Sequence, residues 1–290
     1  MTPIAAITWN TCLESIRKLE LVLFLVLGSL MIFAICFLTS NEKAVGIIIK
    51  FMGEQEFVNV YSPEGLQETD DLIRANILSY LKASGMFFNE IFTLIIAFAL
   101  TLFMIPHEIA TGAIQYILPK PVQRYQYLIG KFLGVFLIVA FCWLIMGLEL
   151  FLFFTFKEGA VDPYLLTAIF LLPLKYAIFI AFMVALTLRM PVIVAGMISL
   201  IFFLGGHASS KLQDFFLDPE LMLEGVMRYV AMVAYYITPH LYPVFSGTLL
   251  DKNENVLETW AQVGSWAAYA VLYTVILLII AIISFRRKSL

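Results

Sequence analysis

The sequence predicts an all-α, polytopic membrane protein that crosses the bilayer six times as a single transmembrane domain over residues 1–290. Three observations predict it. The chain is 62% apolar and only 13% charged, with a mean hydropathy of +0.94, whereas a soluble domain is about half apolar and about a quarter charged. Long apolar runs alternate with polar connectors, and most of the runs can cross about 30 Å of hydrocarbon as a helix. The basic residues gather in alternate connectors, as the positive-inside rule requires.

Taken in order, Thr2-Pro3 starts a helix, a capping hydroxyl followed by proline at the first helical position. Residues 1–18 then read as an interfacial helix. Ile4, Ala5, Thr8, Trp9, Cys12, Leu13 and Ile16 form a mostly apolar stripe, with Asn10, Glu14 and Arg17 elsewhere. Leu19–Thr39 is the first span. Its run is too long for a signal-peptide core and no cleavage site follows, so it is expected to be uncleaved. Residues 41–85 are polar and acidic, an outer loop with a helix start at Ser62-Pro63-Glu64 and an apolar helix side made by Leu66, Ile73, Ile77 and Leu81.

Met86–Ile105 is the second span, and a polar connector follows over 107–131. The third span, from near Arg124 to Phe156, is longer than the bilayer needs, so its first turns should project on the inner side. Span four is Tyr164–Leu186, and a tight inner turn carries Arg189. Span five starts at Val192 and fades at Gly205-Gly206. Residues 207–261 form an outer segment. Its apolar piece Tyr229–Ile237 is cut short by Pro239 and Pro243, so it reads as re-entrant or interfacial rather than spanning. Trp260 and Trp266 mark the outer interface, and span six ends at Phe285 before Arg286, Arg287 and Lys288. With both termini inside, the inner segments hold Arg17, Lys18, Lys120, Arg124, Lys131, Arg189, Arg286, Arg287 and Lys288, half of the 18 Lys and Arg residues.

The connector between spans two and three organises the rest. Ala110, Ala113, Ile114, Ile117 and Leu118 fall on one helical face, and Glu108, Thr111 and Gln115 on the other. Pro119 and Pro121 stop that helix, because proline lacks the N–H and clashes with the preceding turn. The spacing predicts a helix lying at the inner membrane surface with one wet face offered to a cytoplasmic partner.

Glu108, Thr111-Gly112, Leu118-Pro119, Pro121, Arg124, Tyr127, Gly130 and Lys131 together resemble the signature of ABC-transporter permeases of the type-2 export class. That resemblance implies a bacterial plasma (inner) membrane subunit with an N-terminal elbow helix, and an ATP-driven exporter whose connector is a coupling helix. Glu108, Thr111, Gly112, Gln115, Pro119, Pro121, Arg124 and Lys131 would then serve coupling to a separate cytoplasmic ABC ATPase. It further implies two ATPase copies that hold ATP and Mg, none bound by this chain, and a second permease copy or a homologous permease.

The chemistry of the sequence bounds the alternatives. No GxxxxGK[ST] loop exists, since Phe132 follows Gly130-Lys131, so ATP binding by that route is excluded. Nucleic-acid binding has no basic, aromatic-interleaved patch behind it. Cys12, Cys36 and Cys142 suggest no disulfide framework and no metal site. His207 and Ser209 beside Gly205-Gly206 invite an intramembrane hydrolase reading, but neighbours in a loop fix no nucleophile–base geometry. An ATP-independent channel or secondary carrier is the nearer alternative. Glu90, Glu149 and Lys175 lie inside spans, where an unpaired lysine costs on the order of 2.5–3.5 kcal/mol. They mark either a transport pathway or an interhelical pair that fixes packing. Depth along the helices favours a Lys175–Glu149 pair, with Glu90 as the alternative partner.

Overall fold

The computed structural model describes residues 2–40, 70–110, 123–207, 239 and 256–287. Among them every regular element is helical: α1 (Pro3–Ile16), α2 (Leu19–Ser40), α3 (Asp70–Ala110), α4 (Arg124–Glu158), α5 (Pro163–Leu171), α6 (Pro173–Thr187), α7 (Val192–His207) and α8 (Val256–Arg287). Four stretches are long and apolar enough to cross a membrane, namely Leu81–Leu102, Arg124–Glu158, Leu165–Thr187 and Val263–Arg286. Leu21–Ala34 in α2 and Val192–His207 in α7 are shorter apolar helices. The expected helix start at Ser62, the re-entrant piece Tyr229–Ile237 and the connector residues 111–122 lie outside the described residues.

Helices run past the boundaries that hydropathy draws. Residues 70–85, read as the end of an outer loop, are the first turns of α3, which continues unbroken through Pro106 to Ala110. The last helix, α8, likewise starts at Val256, inside the expected outer segment. Span four, expected as one helix, is two. Pro173 has no N–H to give the carbonyl of Ile169, so α5 ends at Leu171 and α6 begins at Pro173. The turn between α4 and α5 is built from Gly159, whose φ of 67° stops α4 while its N–H returns to the Thr155 carbonyl at 3.0 Å. Asp162 then accepts from the Leu165 N–H at 3.3 Å and starts α5.

Ion pairs and hydrogen bonds fix which helix ends meet. Lys82 at the start of the α3 span reaches Glu158 at 2.6 Å and Asp162 at 2.8 Å, tying α3 to the α4–α5 turn. At the other end Arg189 Nε donates to Ser284 Oγ at 2.8 Å, tying the α6–α7 turn to α8. Successive long helices therefore alternate direction. α6 sits at the centre, packed on α3, α4, α7 and α8, and its Tyr176, Phe179, Ile180 and Ala181 are fully buried. Large side chains on α2, α7 and α8, such as Phe33, Ile201 and Leu272, point outward, as lipid contact allows.

The elbow helix docks on α4 by its small residues. Gly130 and Gly134 lie one turn apart on α4, and α1 lies against them. A Cβ on Gly134 would come within 2.5 Å of Thr11, and one on Gly130 within 2.8 Å of Ile7. Thr8 Oγ1 donates to the Gly130 carbonyl at 3.2 Å, and Cys12 Sγ to the Gly134 carbonyl at 3.7 Å. The buried face of α1 is thus Ile7, Thr11 and Ser15, while Trp9, Leu13 and Ile16 of the expected apolar stripe remain exposed. That arrangement leaves the large residues for the headgroup region.

Burial raises the Cys12 thiol above its ordinary pKa, which lowers the thiolate fraction that reacts with alkylating agents. Gly134→Leu should push α1 off the seam, return the thiol toward its ordinary value and speed maleimide labelling of Cys12 at neutral pH. Peptide mass spectrometry reads the rate at Cys12 separately from Cys36 and Cys142, and an unchanged rate would show that the seam does not hold α1.

Candidate functional site

Two features carry the chemistry-bearing side chains, a buried charge cluster and the N-terminal end of α4. The cluster begins with the break at Pro173. The carbonyl of Ile169 that proline strands is taken by Trp143 of α4, whose Nε1–H donates to it at 2.8 Å. This bond holds the indole against α6. Lys175 lies two residues after Pro173 and is 1% exposed. Its ammonium sits 5.6 Å from the Trp143 ring centroid and 5.5 Å from that of Tyr176, within cation–π range.

The Lys175 ammonium forms an ion pair with Glu90 of α3. This corrects the expected Lys175–Glu149 pair. Glu149 instead accepts from Ser29 of α2 at 3.0 Å, on a different face of α4. Glu90 also meets His207 Nε2 at 2.5 Å, and the Tyr176 hydroxyl donates to the Glu90 backbone carbonyl at 3.1 Å. Beside it, Asn89 is fully buried; its amide donates to the Trp143 carbonyl at 3.4 Å and accepts from Thr93 at 3.3 Å. One carboxylate is therefore shared between the Lys175 amine and an imidazole, inside an aromatic wall completed by Phe203.

His207 is the second correction. It belongs to the last turn of α7 and not to a loop, and among the described residues its neighbour is a carboxylate. Its Nδ1 is buried with no hydrogen-bond partner among the described residues. Ser209, the other member of the hydrolase reading, lies outside the described residues. The sequence reading missed Trp143, Tyr176 and His207 as cluster members. The available signal was Pro173 four residues after Ile169, which strands an acceptor that a nearby buried Trp can satisfy.

At its N-terminal end, Arg124 opens α4, with the Gln126 side chain accepting from the Gln123 N–H at 3.0 Å. Lys131 is 2% exposed and turns toward α1, where it pairs with Glu14 at 3.3 Å. Of the other expected coupling residues, Glu108 falls in the last turns of α3 with its side chain outside the described ones, and Thr111, Gly112, Gln115, Pro119 and Pro121 lie outside the described residues.

With this architecture in view, comparison with known families is decisive. The family model of the ABC-2 family transporter protein matches residues 3–290, nearly the whole chain. The chain belongs to that family. It is a membrane-embedded ABC-transporter permease, of a family whose members are transport subunits that partner an ABC ATPase. No curated protein matches the chain.

The geometry of this permease makes the Lys175 partner testable. Breaking a buried pair costs about 3–5 kcal/mol because a lone charge remains, so Lys175→Met alone should lower the yield and melting temperature of the protein. Adding Glu90→Gln should recover most of the loss. Adding Glu149→Gln instead should recover none, and recovery with Glu149→Gln would restore the discarded pairing.

Proposed function

We propose that this chain is the membrane subunit of an ATP-driven exporter in the bacterial plasma (inner) membrane. It spans six times with both termini in the cytoplasm. The connector over 107–131 is its coupling helix, docked on a separate ABC ATPase present in two copies per complex. A second permease copy or a homologous permease completes the pathway. ATP and Mg belong to the ATPase, and this chain binds no cofactor.

The observation that best supports the reading is the continuity of α4. It begins at Arg124, within the connector, and runs unbroken to Glu158. At the helical rise it is about 52 Å long, well beyond the roughly 30 Å of hydrocarbon. One rigid element thus carries the inner seam with α1 at Gly130 and Gly134 and the Trp143 contact to Lys175. Closure of two ATPases below Arg124 would move this rod, and the rod would move the aromatic wall of the charge cluster. Glu108 and Arg124, at the two ends of the cytoplasmic turn within the connector, carry opposite charges suited to locking it. Lys131 supports the same device indirectly by holding α1 to α4 through Glu14.

The Glu90–Lys175–His207 cluster gives one specific reason to keep a secondary carrier as the second reading, because charged and polar groups gathered inside the spans are the kind that mark ion and substrate pathways. ATP dependence separates the two.

In the reconstituted permease–ATPase complex, Glu108→Ala and Arg124→Ala should leave insertion intact and reduce transport-stimulated ATP hydrolysis to the basal rate. Normal stimulation and transport in both variants would remove the coupling assignment, and transport with no ATPase present would favour the carrier. Single cysteines at positions 67 and 253 should label from outside intact cells, and those at 123 and 289 only after permeabilisation. Outside labelling at 289 would overturn the six-span topology.

A further inference from the structure

Between α2 and α4 lies a cavity of about 570 Å³, within the size range of sites for small organic ligands. Leu30, Phe33, Cys36 and Leu152 give it an apolar lining, and Ser29 and Glu149 supply its polar atoms. Leu30, Phe33 and Leu152 are each at least half exposed, so the cavity opens sideways, toward where the lipid would be. At Gly28 the two helices touch, since a Cβ there would come within 2.5 Å of Met146 Sδ. The cavity lies beside that contact, lined on α2 from Leu25 to Cys36.

Glu149 is the charged side chain of this lining. Ser29 donates one hydrogen bond to it at 3.0 Å, which orients the carboxylate without neutralising it. An ionised carboxylate accepts about four hydrogen bonds, so most of its capacity remains for an occupant. Glu149 lies two helical turns inward of Lys157, about 12 Å at the helical rise. The Lys157 ammonium is placed over the Phe153 ring at 5.9 Å.

These features select the occupant. An anionic amphiphile would be repelled by Glu149, and a neutral chain would leave the carboxylate unpaired in hydrocarbon. A phospholipid would have to draw its headgroup about 12 Å below the interface to reach it. A compact ammonium on an apolar body satisfies both the charge and the lining. We propose that this groove is a lateral binding site for membrane-dissolved monocationic amphiphiles, in which Glu149 pairs with the ammonium and Ser29 orients the carboxylate.

The test uses the full permease chain in nanodiscs of neutral galactolipid, which carry no ammonium group, with radiolabelled tetradecylamine, a primary ammonium with N–H donors at neutral pH, as the probe. No ATPase or nucleotide is needed, so the result stands apart from the exporter reading. Binding should be saturable. It should weaken by about tenfold in Glu149→Gln, the loss of one charge-assisted contact, and fall also in Leu152→Trp, which fills the cavity from its lipid side. Tetradecanol and tetradecyl sulfate should fail to compete. Non-saturable binding, equal affinity in wild type and Glu149→Gln, or equal competition by tetradecanol would overturn the proposal, the last showing a slot for lipid chains only. Should Glu149→Gln not fold, Leu152→Trp decides: loss of probe binding supports the site, and unchanged binding refutes it.

Discussion

The rest of the bundle is arranged around the burial of one ammonium group. Lys175 lies in the central helix with almost no exposure, where a lone cation is expensive and a paired one is tolerable only if its surroundings are well ordered. The order comes from a chain of causes that starts in the backbone. Pro173 removes an N–H, the stranded Ile169 carbonyl recruits the Trp143 indole, and the indole face then lies against the ammonium. Glu90 supplies the counter-charge from α3, and Tyr176 fixes the backbone of that same residue. Four helices, α3, α4, α6 and α7, are brought to one point by a single missing N–H donor and a single charge.

Elsewhere the packing follows from the absence of a hydrophobic driving force between helices in lipid. Close contact is made where side chains are small and where backbone carbonyls can accept a hydroxyl or thiol. The α1–α4 seam shows both, with Gly130 and Gly134 facing Thr8, Thr11 and Cys12. Large apolar residues need not be buried, and Trp9, Phe33, Ile201 and Leu272 are left outside. The polar staples lie near the two ends of the bundle, Lys82 with Glu158 and Asp162 on one side and Arg189 with Ser284 on the other. There they set the alternation of helix direction, and the buried Lys82 is held by two carboxylates at once.

The helical class and the apolar stretches were legible in the sequence, because run length and charge asymmetry are direct consequences of bilayer thickness. Helix ends were less so. Hydropathy reports where hydrocarbon stops, while hydrogen bonding continues, so α3 extends from Asp70 to Ala110 and α7 keeps His207. The partner of Lys175 was misassigned for a different reason. Depth along the helix placed Glu149 in reach, but depth ignores rotation about the axis. Trp143 marks the face of α4 that meets Lys175, and six residues further on at about 100° per residue the chain has turned about 120° away. Glu149 accordingly meets Ser29 of α2. The Pro173 break was visible in the sequence, yet its consequence depends on which donor lies beside the stranded carbonyl, a tertiary fact.

Because α4 is one uninterrupted helix, its three contacts are not independent. The glycine seam with α1, the Trp143 bond to the Ile169 carbonyl and the Glu149–Ser29 contact lie on different sides of the same rod. Rotation or sliding of α4 past α6 would strain the indole bond and reorder the surroundings of Lys175, and the same motion would change the gap to α2 beside Gly28. Packed interfaces of this kind switch between discrete arrangements rather than deforming smoothly. A force applied at Arg124 and a molecule seated against Glu149 would therefore act on the same equilibrium. By linkage each would bias the other, with no contact between them other than the helix they share.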